Sequence, residues 1–318
     1  MILPPFLLHR PTTVDEAVDL AALHQEEGVS FLAGGTDLLP NWKNRLNNQP
    51  HLISLQSIPS LHDVESGKIG ALATLHSLLG FSPLPQGLRE AIEVVASPLI
   101  RTTATIGGNL LLDTRCHFFN QSPFWRATVG SCLKAEGPVC RVVPGANSCV
   151  ATFSSDLAPL LMAMDATLSF VGPQGERSLP LRTFYQQDGI RRMVLKPGEI
   201  LTTISWHDDP TLLTGYAKLR IREAWDFPLL GVGCAMGLCE GYLSNLSLFL
   251  GAVDSIPIEV PTESFLGEPL TDEAIEVIAK SAYARVKPMK NVGLTPSYRK
   301  RMVPVFVRRL LMRLRGDH

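Results

Sequence analysis

The chain has 318 residues, 45% of them hydrophobic and 19% charged, with a formal net charge of −1. That length and composition suit a packed protein of two domains, or one large domain split into subdomains. The balanced charge removes any global electrostatic case for nucleic acid, and no apolar run reaches the length of a membrane span.

The opening MILPPFLLHRPTT is apolar, but no basic residue precedes it and no small-residue cleavage site follows. It reads as a buried first strand, and the protein as cytoplasmic. PTTVDEAVDLAALHQ predicts a helix capped by Thr13, with Glu16 at the capping-box position and Val14, Ala17, Val18 and Ala21 on one face. VSFLAGGTDLLP predicts a buried strand, a tight Gly-Gly turn and a new helical segment. PHLISLQSI predicts another short strand, and HDVESGKIGALAT a hairpin turning at Ser66-Gly67. GLREAIEVVAS is a short helix that leads into PLIRTTATIGGNLLLD, a loop with a second Gly-Gly pair. After a cysteine-bearing stretch, FSSDLAPLLMAMDATLSFVGPQGERSLPL predicts a helical turn and two strands, and GEILTTISW a further strand. From Thr211 the pattern changes. GYAKLRIRE, LLGVGCAMGLCEG and LSNLSLFLGAV predict a three-stranded antiparallel sheet, closed by helices in TDEAIEVIAKSAYARV and PSYRKRMVPVFVRRLLMRL. The domains are therefore 1–210 and 211–318, without internal repeats.

Two glycine loops are candidate anion cradles. LAGGTDL lies between a strand and a helix, where glycine permits close backbone approach and free N–H groups favour a pyrophosphate. Thr36 adds a hydroxyl. TIGGNL is a second cradle, with Thr105 and Asn109 as polar handles. Neither loop matches the dinucleotide or P-loop fingerprint, so each by itself also reads as an ordinary turn.

Four of the six cysteines, Cys116, Cys132, Cys140 and Cys149, crowd into one loop-like stretch. In a reducing compartment such clustering favours metal ligation or redox chemistry over disulfides. The intervals of 16, 8 and 9 residues fit neither a zinc finger nor a compact ferredoxin run. Spacing alone leaves structural zinc and an iron–sulfur cluster both open, with zinc the commoner occupant.

LAGGTDLL, ATIGGNL, SDLAPLLMAMDA and YAKLRIREAWDFPLLGVG occur in that order over nearly the whole chain. Together they resemble the FAD-binding medium subunits of the xanthine dehydrogenase and carbon monoxide dehydrogenase family of molybdenum hydroxylases. The resemblance implies an α+β protein with a p-cresol methylhydroxylase-type FAD-binding fold. Its two α/β subdomains would be about 1–58 and 59–210, followed by a smaller C-terminal domain. It implies a first FAD loop of Leu32, Ala33, Gly34, Gly35, Thr36, Asp37 and Leu38, and a second of Thr105, Gly108 and Asn109. Asp156 would sit near the ribose or ribitol hydroxyls, and Leu201 and Lys218 near the flavin end; a solvated strand lysine is the other reading of Lys218.

Most members of that family run almost directly from GGN to SDLAP, whereas here about forty residues, 114–154, intervene. The insertion resembles that of one branch, the 4-hydroxybenzoyl-CoA reductases, through Asp113, Thr114, Arg115, Cys116, Phe118, Asn120, Gln121, Ser122, Trp125 and Arg126. The branch implies a [4Fe-4S] cluster on Cys116, Cys132, Cys140 and Cys149. It also implies electrons passing from ferredoxin through that cluster and FAD to [2Fe-2S] clusters and molybdenum. The partners implied are a large molybdopterin subunit and a small [2Fe-2S] subunit, as a dimer of heterotrimers. An FAD subunit for an aldehyde, purine or other aromatic substrate is the alternative, and a flavin-free subunit with a structural zinc loop is another.

Other residues read more plainly. Cys234 and Cys239 read as buried core thiols, and His117 as a packing or surface residue. Trp125 and the phenylalanines near it would shield the cluster. Arg299, Lys300, Arg301, Arg308, Arg309, Arg313 and Arg315 read as a solvated helix face. No catalytic acid or base stands out, so the substrate chemistry would belong to another chain.

Overall fold

The computed structural model describes residues 2–317. In chain order the elements are β1 (Leu7–His9), α1 (Val14–Leu23), β2 (Val29–Leu32), α2 (Leu38–Lys43), β3 (His51–Ser54), β4 (Val64–Glu65), β5 (Lys68–Gly70), α3 (Leu75–Leu79) and α4 (Gln86–Glu93). There follow α5 (Pro98–Arg101), α6 (Ile106–Leu110), α7 (Pro123–Val129), α8 (Ala158–Ala163), β6 (Thr167–Gly172), β7 (Gly175–Pro180) and β8 (Ile200–Ser205). The chain ends with β9 (Leu213–Leu219), β10 (Leu230–Cys239), β11 (Tyr242–Gly251), β12 (Ile258–Val260), α9 (Asp272–Arg285) and α10 (Pro296–Arg315).

Three sheets organise these elements. A small parallel sheet has the order β1-β3-β2. Helix α1 covers it: Thr13 Oγ1 accepts from Glu16 N at 3.2 Å, and the apolar stripe Ala17, Val18 and Ala21 packs with Ile53 and Leu55. The Glu16 carboxylate reaches back to Thr12 N at 2.8 Å, one residue before the position a capping box uses. A five-stranded antiparallel sheet, β4-β5-β8-β6-β7, carries the largest core, where Phe153, Leu160, Phe170, Phe184 and Ile204 meet. The third sheet, β12-β11-β10-β9, is backed by α9 and α10 through Ile275, Ile278, Val303, Val307 and Leu310. The α+β architecture is the one expected.

Three local expectations change. The first strand is not buried: Leu7 and Leu8 are 62% and 43% exposed, because β1 is a sheet edge. The second Gly-Gly pair is not in an open loop but in the first turn of α6, where Thr105 Oγ1 caps Gly108 N at 3.0 Å. The C-terminal sheet gains a short fourth strand, β12, from a segment whose pattern is too brief to read.

Candidate functional site

The two glycine loops press against each other. A Cβ on Gly34 would lie 1.9 Å from Thr103 O, so only glycine lets the first loop touch the backbone that leads into α6. Gly35 turns at φ +71°, in the left-handed region that side chains resist. A Cβ on Gly108 would meet Thr105 Oγ1 at 2.9 Å and otherwise face Ala33 at 4.0 Å, so the space between Gly108 and the first loop is less tightly filled than that beside Gly34. The amides at the start of α6 already donate, Ile106 N to Ala73 O at 3.1 Å, Gly107 N to Ala71 O at 2.9 Å and Gly108 N to Thr105 Oγ1 at 3.0 Å, so the free N–H groups expected of the second loop are not there.

The other residues singled out for the flavin are placed as follows. Asn109 Oδ1 accepts from Ser155 Oγ at 2.7 Å and Leu157 N at 3.2 Å, tying α6 to the start of α8. Asp37 does not cap α2. Its carboxylate accepts from Asp113 N and pairs with Arg115, which binds the first glycine loop to the root of the cysteine loop. Asp156 and Lys218 meet at 3.0 Å in an enclosed ion pair, each side chain 3% exposed or less. Tyr216 donates to Asp156 Oδ1, and Lys218 Nζ also donates to the carbonyls of Val94 and Asp226. Burial pushes the Asp156 carboxyl up, against the pull of Lys218. Lys218 is therefore not a solvated strand lysine. Leu201 lies 3% exposed within the core of the five-stranded sheet.

Cys116, Cys132, Cys140 and Cys149 are all free thiols, 5–8% exposed, and all four line one small pocket with Phe118, Phe119 and Lys134. The loop that brings them together has little regular structure beyond α7 and one turn of 3-10 helix. Its base is a two-residue antiparallel bridge, Arg115 with Thr152, closed by hydrogen bonds of 2.7 and 2.8 Å. Ser122 caps α7, and Arg126 pins that helix to the carbonyls of Asn44 and Arg45. The C-terminal domain holds the loop from outside: Asn291 Nδ2 donates to Val150 O, and Asn291 Oδ1 accepts from Thr152 Oγ1.

This donor set fits a metal centre. Burial pushes the Cys116 thiol up to about 11, so it ionises only with a compensating positive charge beside it. Backbone N–H groups of Phe118 and Phe119 point at Cys116, and that of Ala151 at Cys149, the kind of hydrogen bond that tunes a cluster potential. Among the described residues, three donor groups with ligand atoms all within 4.8 Å of one another are found only at His9, His24 and His51. No three of the four sulfurs therefore lie within 4.8 Å of one another.

A larger cleft, about 310 Å³, shares the Cys116 wall and runs between Arg115 and the Phe227–Leu229 segment. The buried hydroxyl of Ser154 lines it without a hydrogen-bond partner. Arg115 is the hinge of the whole site. It pairs with Asp37, donates to Asn41 Oδ1 at 3.2 Å, and lies over the Phe227 ring at 4.3 Å. Desolvation lowers its pKa to about 10, still leaving it a cation at neutral pH. Lys134 is the second buried cation: it meets Asp113 Oδ1 at 2.6 Å and the Phe119 ring at 4.7 Å.

Sequence reasoning assigned no role to Arg115, Lys134, Asn291 or Tyr216; only the position of Arg115 beside Cys116 hinted at one. Cys234 is a core thiol pushed up to about 12 by burial, whereas Cys239 is exposed at the β10–β11 turn, not buried. Arg299 is not on a solvated face. It is fully buried and donates to the carbonyls of Leu229, Met289 and Ala252. Phe118 lies 6.1 Å from Trp125, and Phe119 is buried in the pocket wall, while Phe124 is 82% exposed and shields nothing.

A parallel sheet and an antiparallel sheet carry the two glycine loops, and a sheet-and-helix domain follows them, the layout of a two-domain α+β protein. Residues 4–206 match the family described as FAD binding domain in molybdopterin dehydrogenase, and residues 215–314 the CO dehydrogenase flavoprotein C-terminal domain. This chain belongs to the FAD-binding medium subunits of the molybdenum hydroxylase family. It is 29% identical to the carbon monoxide dehydrogenase medium chain of Afipia carboxidovorans, over 99% of each chain. It is 31% identical to the aldehyde oxidoreductase FAD-binding subunit PaoB of Escherichia coli, over 71% of this chain and 76% of that one. A solved structure of Cu,Mo-CO dehydrogenase superposes over 100% of both chains with a TM-score of 0.80 at 26% identity.

Proposed function

We propose that this chain is an electron relay of two centres, FAD between the glycine loops and a [4Fe-4S] cluster on Cys116, Cys132, Cys140 and Cys149. The observation that carries the proposal is the pocket formed by four free, buried cysteines, which shares the Cys116 wall with the cleft beyond it. Gly34 and Gly35 let the first loop turn tightly against the backbone that leads into α6, Gly108 leaves room beside it for the FAD pyrophosphate, and Thr36 and Thr105 flank it. Arg115, Ser154 and Phe227 wall the cleft in which the flavin ring would lie. When bound, the flavin and the cluster exchange electrons, while the protein fixes their distance and surroundings. Lys134 and the N–H groups at Cys116 and Cys149 set the charge around the cluster, and Phe119 excludes water.

A large molybdopterin subunit and a small [2Fe-2S] subunit would complete the enzyme, as a dimer of heterotrimers. Two substrate classes suit such a relay. The DTRC opening of the loop supports reductive removal of the phenolic hydroxyl of 4-hydroxybenzoyl-CoA, with ferredoxin supplying low-potential electrons. The names of the relatives favour the second class, oxidation of an aldehyde or a related substrate, with electrons leaving through this chain. Iron, zinc and flavin analysis of the anaerobically purified complex tests the relay: about four irons and one FAD per chain are expected. Zinc in place of iron would overturn it. Assaying the same complex for 4-hydroxybenzoyl-CoA reduction by reduced ferredoxin, and for aldehyde oxidation by a dye, separates the two substrate classes.

A further inference from the structure

The first subdomain holds a cluster of imidazoles that the flavin site does not use. In the β1–β3 register Leu7 stands opposite His51, so His9, two residues on, projects from the same sheet face as His51. Helix α1 covers that face and ends at His24, its C-cap residue. The rings of His24 and His51 stack at 3.7 Å, and that of His9 lies 4.9 Å from His24 and 5.3 Å from His51. Each histidine presents a ring nitrogen such that all three lie within 4.8 Å of one another. The turn after α1 adds Glu27, whose carboxylate oxygens lie 3.1 Å from His24 Nδ1 and 3.2 Å from His51 Nε2. His9 Nε2 is 3.0 Å from His51 Nδ1. His51 is 3% exposed and forms the floor; His9 and His24 are half-buried, and Glu27 is 63% exposed at the mouth.

Three imidazoles and one carboxylate from three separate places in the chain, β1, the end of α1 and β3, are an N₃O donor set. Neutral imidazole is the commonest metal ligand, and such sets take borderline divalent ions rather than magnesium or calcium, which prefer oxygen. His51 can give an ion only one nitrogen, so the three imidazole ligand atoms, all within 4.8 Å of one another, would draw in to the roughly 3.4 Å edge of a tetrahedron whose metal–ligand bonds are about 2.0–2.1 Å, with Glu27 beside His24 at 3.1 Å. A solvent-facing mouth gives the ion a way in. We propose that His9, His24, His51 and Glu27 form a binding site for a divalent transition-metal ion of the zinc type, separate from the four-cysteine pocket. The ion would clamp the exposed edge strand β1 and the end of α1 onto β3, and so brace the sheet whose strand β2 delivers the first glycine loop.

The test is a titration of the full chain, purified anaerobically with its cysteine centre intact and dialysed against a chelator, with cobalt(II) and with zinc. One cobalt per chain is expected to bind with ligand-field bands but without the thiolate charge-transfer band that a cysteine site would give. Zinc is expected to raise the thermal midpoint, since a ligand of the native state stabilises it, and magnesium to leave it unchanged. Glu27→Gln and His24→Ala change a surface residue and a half-buried one. Each is expected to weaken binding by about tenfold or more with little change in the metal-free midpoint. Cobalt that binds only with the thiolate band, or equal affinity in parent, Glu27→Gln and His24→Ala, would overturn the site.

Discussion

The glycine loops and the cysteine loop meet at the Asp37–Arg115 pair, yet they are ordered by different means. The glycine loops stand at the ends of regular elements, β2 with α2 and the cap of α6, and their shape comes from backbone packed on backbone. The cysteine loop has a small apolar cluster of its own, and three of its six buried members are Cys116, Cys132 and Cys149 themselves. If these cysteines hold the proposed cluster, half of that core consists of ligands, and the bound metal supplies much of its order. On the proposed assignment the fold makes one site in advance, and a metal would complete the other.

The largest expected effect breaks the cysteine loop alone. Cys140→Ser should abolish most of the iron-dependent absorbance and open residues 116–150 to proteolysis, with FAD content unchanged. Loss of flavin in parallel would show that the two regions are one unit. Next comes the glycine cradle. Gly35→Val forces a branched side chain to φ +71° and against Leu32 and Leu39, a cost of about 1–3 kcal/mol. FAD should be released on gel filtration while iron stays bound, and a variant that keeps full FAD would remove Gly35 from the cradle.

Arg115→Met tests the coupling between the regions. It leaves Asp37 without its cation; Asp37 keeps 25% of its surface exposed, so the cost should stay below about 3 kcal/mol, under the range for a fully buried pair. Both FAD affinity and iron retention should fall together, unlike in the two variants above. The smallest effect concerns pH. Burial raises the Glu199 carboxyl, but Arg177 at 2.6 and 2.7 Å and the Lys196 N–H at 2.8 Å together outweigh it and hold the group below its ordinary value. A carboxyl lowered on folding adds stability above its unfolded pKa of about 4.3, and this is lost as pH falls through the folded value. Glu199→Gln should therefore lower the urea midpoint at neutral pH and flatten its dependence on pH below that point. An unchanged acid slope would exclude this pair as its source.

Much of the scaffold was legible because it follows from local chemistry. The Thr13 cap and the Ala17–Val18–Ala21 stripe of α1 need only one turn of helix to be recognised. The Ser66-Gly67 hairpin needs only its two strands. What escaped depends on partners remote in the chain. Leu7 and Leu8 look like core residues until β1 proves to be an edge, and the arginines of α10 look alike until Arg299 proves to face inward onto three carbonyls.

The same division holds at the site. The order of the motifs determined the family, and the crowding of four cysteines in one stretch raised the expectation of a metal or redox centre, because motif order and residue type carry those signals. Only the tertiary structure decided that the four sulfurs share one pocket and that Asp156 and Lys218 neutralise each other out of water. It also made Arg115 the joint between flavin loop and cysteine loop, and gathered His9, His24 and His51 on one sheet face. Each of these is a meeting of residues far apart in the chain, and pairwise distance across a fold is set by how its sheets and helices pack, which no local pattern encodes.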